Sequence, residues 1–167
     1  MLAMFPYLGL RIMANKNHEF DHGKKKNHTK AVIFDLDGTL ADTDDPNGNH
    51  KKDHQGFRSH ALGADAIPEM VDKVRKAHKK GREVIILTAR SAHYRKDTKT
   101  WLNEHGIPYD SLFMRPVGDD RKDKVVKKSL LKEDVLPNFD VKKAYDDKKK
   151  NVKMFRKQGI QAKQVND

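Results

Sequence analysis

The 167-residue chain contains no cysteine. This absence excludes disulfide bonds and thiol nucleophiles, so the core has to be held together by packing and hydrogen bonding. A chain without cysteine is compatible with a reducing compartment, and we expect a cytoplasmic protein. At this length the chain is sufficient for one domain with a substantial core and too short for two.

Long apolar runs are also absent. The most apolar stretch outside the apparent domain, Met1 to Met13, is shorter than the roughly 20 residues that span a bilayer, and Pro6 interrupts it. Its positive charge follows the apolar residues, whereas a signal peptide places the charge first. We therefore expect no membrane association, a poorly ordered basic and histidine-rich leader over residues 1–29, and a folded domain over residues 30–167.

Acidic residues are scarce relative to basic ones. The sequence has 35 Lys and Arg against 24 Asp and Glu, a formal net charge of +11 and a pI near 9.7. Such an excess favours an anionic partner, with nucleic acid as the first candidate and another phosphorylated surface as the second. The excess charge could also serve solubility alone.

One apolar segment that carries acids stands out, AVIFDLDGTLAD (Ala31 to Asp42). Its apolar start predicts a buried central strand. Asp35 and Asp37 then face the same side of the extended chain, where two like charges favour a divalent cation between them. Gly38 allows the backbone to turn away sharply. This D-x-D-G-T arrangement is the signature of the haloacid dehalogenase (HAD) superfamily of phosphohydrolases, in which the first aspartate is the nucleophile.

The rest of the domain shows alternating strand and helix patterns. Helical spacing is predicted for residues 67–80, 91–105 and 148–157, with a further helix opened by residues 117–127, and strands for residues 83–87, 111–114, 141–145 and 160–165. Repeated β-α units predict an α/β fold: a HAD-like, Rossmann-like doubly wound parallel sheet with helices on both faces. The short distance from Arg90 to Lys122 leaves no room for a large cap domain. The polar segment Ala41 to Ala61 is expected to form a flap instead.

Polar residues at the predicted strand ends complete a candidate site. Thr88 follows the second strand and can offer a hydroxyl and a backbone N–H to a phosphate oxygen. Lys122 lies in the predicted first turn of a helix, where an ammonium group and the helix N-terminus both suit a phosphate. Asp146 and Asp147 follow the fourth strand. We expect Mg²⁺ to be held by Asp35, the Asp37 carbonyl oxygen and an acid of this pair.

From Lys30 onward the chain also resembles the 3′-phosphatase domain of phage polynucleotide kinase/phosphatase. The matching segments are KAVIFDLDGTLA, the strand ending in Arg90, GDDRKDKVVK and FDVKKAYDDKKKNVKMFRKQGI. The resemblance implies that Ala89, Arg90, Asp119 and Lys122 join Thr88 in binding phosphate and substrate. It further implies that Asp146 and Asp147 bind metal, and that the cytoplasm is that of the host if the gene is phage-borne.

Two departures from that family stand out. The sequence contains no GxxxxGK[ST] motif, so 5′-phosphorylation is not expected of these residues. The family's arginine shortly after D-x-D-G-T is missing. Either His50, Lys51 or Lys52 replaces it, or the flap contacts the substrate differently, since Arg58 is too distant to correspond.

The functional expectation is therefore an Mg²⁺-dependent phosphomonoesterase that removes a 3′ phosphate from DNA or RNA ends through an aspartyl-phosphate. One alternative is a 5′(3′)-nucleotidase that acts on free mononucleotides with the same chemistry. Another is a catalytically vestigial nucleic-acid-binding accessory protein. No protein partner can be inferred from the residues.

Overall fold

The computed structural model describes residues 28–43 and 62–165. These residues alternate between strands and helices, and each strand after the first is preceded by a helix. The elements are β1 (Thr29–Phe34), α1 (Pro68–Lys79), β2 (Glu83–Ser91), α2 (Arg95–Glu104), β3 (Ser111–Arg115), α3 (Asp123–Leu130), β4 (Phe139–Asp146), α4 (Lys149–Lys157) and β5 (Gln161–Gln164). The leader (to residue 27) and all but the first three residues of the predicted flap (residues 44–61) lie outside the described residues.

All five strands are parallel and lie in the order β3-β2-β1-β4-β5. The chain moves outward from β1 in one direction and then returns to begin again on the other side at β4. Because loops at this reversal point diverge, a crevice opens there at the carboxyl edge of the sheet. The predicted α/β doubly wound fold is confirmed, and the crevice lies where β1 and β4 end.

Two apolar layers cover the sheet. Alternate residues of the central strands point to opposite faces, so Phe34 and Ile86 pack against α1 and α2, while Ile33 and Ile85 pack against α3 and α4. Strands buried on both faces need continuous apolar runs, which is what VIF and VIIL supply. The aligned apolar stretches thus hold the carboxyl ends of β1, β2 and β4 at fixed positions.

Between β2 and α3 the structure contains only a short 3₁₀ turn (Ala92–Tyr94), α2, β3 and a loop. This confirms that no large cap domain lies between these elements. The helix predicted over residues 91–105 is divided, because β2 continues to Ser91 and the 3₁₀ turn precedes α2. None of the helices in residues 62–165 is long and apolar enough to cross a membrane.

One element begins later than its sequence pattern predicts. Helix α3 starts at Asp123, not near Val117, and a π-helical turn (Leu131–Val135) extends it. The preceding residues form a loop in which Gly118 has a φ of +82° and Asp119 accepts hydrogen bonds from the backbone and side chain of Arg121. This local turn competes with the helix, so Lys122 becomes the residue before the first helical turn.

Candidate active site

Asp35 lies at the end of β1 and is almost completely buried, with 5% of its surface exposed. Its Oδ1 atom is 2.7 Å from Nζ of Lys127, which comes from the buried face of α3. The Thr39 hydroxyl donates a long hydrogen bond of 3.4 Å to Oδ2. The backbone of the D-x-D-G-T turn therefore places this carboxylate beside the ammonium group of Lys127, which was not among the site residues predicted from the sequence.

The fourth strand brings two further acids to the same point. Asp146 is buried, and its Oδ2 lies 2.6 Å from Nζ of Lys127. Its other oxygen accepts hydrogen bonds from the Lys148 N–H and from the Asn151 amide, which fixes the carboxylate at the start of α4. Asp147 follows it directly and packs against Gly38.

Asp35, Asp146 and Asp147 form a compact three-carboxylate cluster. One oxygen of each lies within 4.8 Å of the others. Burial raises the pKa of Asp35 well above its usual range, and the neighbouring charge of Asp146 adds to this against the opposing effect of Lys127. Burial likewise raises the pKa of Asp147. Three acids at this spacing repel one another unless positive charge is close by.

Lys127 supplies one such charge. Its side chain is 2% exposed, and burial by itself would lower the pKa of the ammonium group. The carboxylates of Asp35 and Asp146 outweigh burial and raise that pKa instead. Lys127 is therefore held in its charged form between two of the three acids.

The cluster has the properties of a Mg²⁺ site. Mg²⁺ prefers oxygen ligands, and carboxylates are its usual protein ligands. Oδ1 of Asp147 is buried and has no hydrogen-bond partner among the described residues, so one oxygen is left for a ligand that the protein does not supply. The residues present therefore fit a divalent cation held by Asp35, Asp146 and Asp147. The carboxylate of Asp37 is outside this cluster, which leaves its carbonyl oxygen as the predicted ligand.

Asp37 faces the crevice and is bound by an arginine. The guanidinium group of Arg90, at the end of β2, donates to both oxygens of Asp37 at 3.1 and 2.5 Å, and it also contacts Thr98 of α2 at 3.1 Å. The Arg90 side chain is 1% exposed, whereas that of Asp37 is 30% exposed. A buried cation thus holds a carboxylate that remains open to solvent.

The remaining predicted residues lie near the end of β2 or just before α3. Thr88 is buried, and its Oγ1 accepts the Arg90 N–H at 3.0 Å, which leaves its hydroxyl hydrogen as a donor. The Ala89 carbonyl accepts from Arg115 at 2.7 Å. Lys122 is exposed before α3, and among the described residues no ion pair joins it to Asp35, Asp146 or Asp147.

Asp119 lies in the loop before α3. Its carboxylate accepts from Arg121 at 2.6 Å, and this hydrogen bonding lowers the pKa of Asp119 to about 2. Both Asp119 and Lys122 stay predictions as substrate contacts. His50, Lys51, Lys52 and Arg58, considered above for the missing family arginine, lie outside the described residues.

A second ionic network connects the loops around the site. Arg115 at the end of β3 pairs with Asp123 at 2.8 Å, and Asp123 pairs in turn with Lys148 at 2.6 Å. The same arginine donates to the carbonyl oxygens of Asp119 and Arg121. Arg115, Asp123 and Lys148 were missed by sequence reasoning, because ion pairs between common surface residue types leave no spacing signal.

This parallel sheet, with an acid pair at the end of one central strand and D-x-D-G-T at the end of the other, defines a HAD-fold phosphatase. Solved HAD hydrolases share the fold. A putative phosphatase from Clostridium difficile has a TM-score of 0.59 at 16% identity, and the match covers 85% of this chain and 86% of that phosphatase. A haloacid dehalogenase-like hydrolase from Streptococcus pneumoniae has a TM-score of 0.53 at 19% identity, covering 80% and 83%.

The chain belongs to the polynucleotide kinase PNKP phosphatase domain family, whose model matches residues 29–167. A structure described as the Pnkp1/Rnl/Hen1 RNA repair complex contains a chain 33% identical to it, with a TM-score of 0.73 over 86% of this chain and 44% of the relative. A second Pnkp1/Rnl/Hen1 complex gives 28% identity and a TM-score of 0.72, over 97% and 57%. The chain therefore spans about half the length of the solved relatives it matches.

Proposed function

We propose that this protein removes 3′-terminal phosphate groups from polynucleotide ends through a covalent aspartyl-phosphate. The observation that carries the proposal is the pair of environments at the end of β1. Asp35 lies among Lys127, Asp146 and Asp147, whereas Asp37, two residues later, is bound by Arg90 and open to the crevice. Two carboxylates in such different surroundings suit two different roles.

In the first step an oxygen of Asp35 attacks the phosphorus atom, and the bond from phosphorus to the 3′ oxygen breaks. Asp37, protonated at this stage, gives its proton to the departing oxygen. The ammonium group of Lys127 lies beside Asp35, where it can offset negative charge on the phosphoryl oxygens. The hydroxyl of Thr88, near the end of β2, can act as a further donor.

In the second step Asp37, now ionised, takes a proton from water. The water oxygen attacks phosphorus and the bond to Asp35 breaks, which releases inorganic phosphate, restores the Asp35 carboxylate and leaves Asp37 protonated for the next cycle. The guanidinium group of Arg90 donates to both oxygens of Asp37 and holds this side chain in position at the crevice. When bound by Asp35, Asp146 and Asp147, Mg²⁺ would supply positive charge that stabilises the transferring phosphoryl group.

Gly38→Ala tests the metal site without altering a ligand. A Cβ atom at position 38 would lie 2.6 Å from Oδ2 of Asp147 and would force that carboxylate to move. We expect the Mg²⁺ concentration for half-maximal hydrolysis of p-nitrophenyl phosphate to rise at least about tenfold, the size of effect that disturbing a ligand's orientation produces.

Gly159→Ala is the matched control for this variant. Gly159 has nearly the same backbone conformation, with φ of +78° against +77° for Gly38, but a Cβ atom there meets nothing within 4 Å. Both substitutions carry the strain of alanine in the left-handed region, and only one disturbs Asp147. Superimposable Mg²⁺ titrations of the two variants would show that Asp147 does not bind the metal.

The polymer part of the proposal rests on charge and on the relatives. The chain carries a formal net charge of +11, and two of its solved relatives belong to Pnkp1/Rnl/Hen1 complexes, one of them described as an RNA repair complex. Those complexes also contain other proteins, so the prediction that no protein partner can be inferred is not confirmed. We propose DNA or RNA ends as the substrate and a repair assembly as the setting.

Salt dependence separates a polynucleotide from a free nucleotide as substrate. Each phosphate contacted outside the catalytic site releases counterions, with a slope of about −0.7 in log affinity per log salt for single strands. We expect KM for a 3′-phosphorylated oligonucleotide to rise about 100-fold for a tenfold rise in NaCl, for about three such contacts, while kcat changes little.

A 3′-mononucleotide serves as the control substrate, since it offers only the phosphate that the catalytic site binds. Its KM should rise far less steeply with NaCl. Equal salt dependences, or a higher kcat/KM for the mononucleotide at low salt, would support the 5′(3′)-nucleotidase alternative. Hydrolysis of neither substrate, with oligonucleotide binding retained, would support the vestigial binding protein.

A further inference from the structure

We propose that the basic surface of α4 and β5 binds the phosphate backbone of a polynucleotide whose end lies in the catalytic crevice. This inference rests on the proposed function and adds the location of the polymer contacts. The surface, called the basic track below, is a shallow cleft between the helix and the edge strand. It is lined by Lys149, Val152, Lys153, Arg156, Lys163 and Gln164.

The basic track has an unusual charge content. Residues 148–165 include seven Lys or Arg and no acidic residue. Lys149, Lys153 and Lys163 are exposed, and within residues 28–43 and 62–165 none of them has an ion-pair partner. An exposed helix in a mixed-charge protein usually alternates the two signs. The uncompensated positive charge therefore favours a role in binding an anionic ligand over a role as a merely solvent-exposed surface.

The start of α4 adds a separate observation. Its first turn contains Lys149 and Lys150 and no acidic residue, although the N-terminus of a helix already carries partial positive charge and favours acids. Placing lysines there is unfavourable for the isolated helix. An anionic ligand would gain from both the lysines and the helix N-terminus.

The position of the basic track matches the course of a bound strand. Asp146 and Asp147 come immediately before Lys148, and Asp146 accepts the Lys148 N–H, so the track begins beside the three-carboxylate cluster. On the other side, Gln164 of β5 pairs with Asp146 of β4, which places Lys163 at the carboxyl edge of the sheet. Helix α4 then leads away from the crevice.

The spacing of the cations suits successive phosphates. Lys149, Lys153 and Arg156 are four and three residues apart on one helix face, which corresponds to separations of about 5–6 Å between Cβ atoms. The guanidinium group of Arg156 donates to the Ala162 carbonyl at 2.9 and 3.1 Å, so this side chain is held in place across the cleft. A flexible single strand can place one phosphate at each position.

The test compares two triple variants of the full chain. In the first, Lys149, Lys153 and Lys163 are each replaced by glutamine. In the second, the control, Lys76, Lys79 and Lys80 at the end of α1 are replaced by glutamine; these exposed lysines belong to a helix on the opposite face of the sheet. Both variants lose the same charge, so any effect of net charge is matched.

Binding is measured by fluorescence anisotropy with a single-stranded oligonucleotide that ends in a 3′ hydroxyl, over a range of NaCl concentrations. For three lost phosphate contacts, the slope of log Kd against log salt should decrease by about 2 in the track variant. The control variant should keep the slope of the unmodified protein. Hydrolysis of p-nitrophenyl phosphate should be the same in all three proteins, because this small substrate does not reach the track.

The outcomes distinguish this inference from the proposed function. If the track variant binds with an unchanged slope while the unmodified protein removes 3′ phosphates, the track is not the polymer contact and the proposed function stands. If the slope of log Kd against log salt decreases equally in both triple variants, the effect is one of net charge and the inference is wrong. If the slope falls only in the track variant but no polynucleotide is dephosphorylated, the track is supported and the proposed function fails.

Discussion

Asp35→Asn is expected to lower kcat for phosphomonoester hydrolysis by at least about 1,000-fold, because the amide cannot attack phosphorus and the covalent route is lost. The two side chains have nearly the same shape, and the substitution removes one of three clustered negative charges. Folding should therefore be retained. The measurement is single-turnover hydrolysis of p-nitrophenyl phosphate with Mg²⁺, together with thermal unfolding of the same samples.

Asp140→Asn provides the control for Asp35→Asn. This acid lies near the start of β4, at the opposite edge of the sheet, and pairs with Lys142 at 2.7 Å on the surface. Its replacement should leave kcat unchanged. A folded Asp35→Asn protein with the unmodified rate would exclude an aspartyl-phosphate at this position.

Lys127→Met is expected to lower the free energy of unfolding by about 3–5 kcal/mol in metal-free buffer, the usual cost of leaving a buried charge without its partner. Methionine fills a similar volume but leaves the carboxylates of Asp35 and Asp146 without the ammonium group that now lies 2.6–2.7 Å from them. Denaturant titration followed by circular dichroism measures the change.

The pH dependence of that loss follows from the raised pKa of Asp35. A carboxyl group whose pKa is higher in the folded than in the unfolded state binds more protons when folded, so stability falls as the pH rises between the two values. Without Lys127 this effect is unopposed. The destabilisation should be largest near pH 8 and smaller near pH 5, where protonation neutralises the acids.

Two further variants isolate the cause. Adding Asp35→Asn to Lys127→Met removes one of the uncompensated charges and should restore part of the lost stability, which a double-mutant cycle quantifies. Lys122→Met changes an exposed lysine and should alter stability by no more than about 0.5 kcal/mol. If Lys127→Met and Lys122→Met unfold at the same denaturant concentration, the buried ion pairs contribute nothing to stability.

The sheet and the acids of the site could be predicted from the sequence because their signals are local. An apolar run followed at once by D-x-D-G-T defines both a buried strand and the side on which its acids emerge. Asp146 and Asp147 likewise follow a strand directly. Parallel strands end at the same edge, so the meeting of these acids follows from topology without knowledge of any side-chain contact.

The buried lysine could not be identified in the same way. Residues 122–128 contain four lysines, and which of them faces inward depends on where the helix starts. The pattern predicts a start near Val117, whereas α3 begins at Asp123. The available signal is the helical spacing from Lys127 to Leu131, which places this lysine on the apolar face. Lysine is rarely fully buried, so the spacing alone favours a surface position.

The contact between Arg90 and Asp37 depends on tertiary structure. Resemblance implies that Arg90 binds substrate, but only the structure shows that one nitrogen of its guanidinium group donates to Thr98 of α2 and the other two donate to Asp37. A guanidinium group binds a carboxylate through two parallel hydrogen bonds only when the two groups have the right relative position and orientation. The spacing of residues within one strand cannot predict that geometry.

The central pairing of β1 with β4 has a consequence for how the chain folds. Phe34 pairs with Tyr145, so the two strands that carry the acids are neighbours in space and nearly at opposite ends of the domain in sequence. The entropy of closing so long a loop has to be overcome before this pairing forms, which slows folding. During synthesis β1 can pair with β2 early, and β3 can then add to β2. The other edge of β1 pairs with β4, which lies in the last third of the domain and is synthesised later. The catalytic centre is therefore among the last parts of the molecule to assemble, and its acids stay apart until the fold is nearly complete.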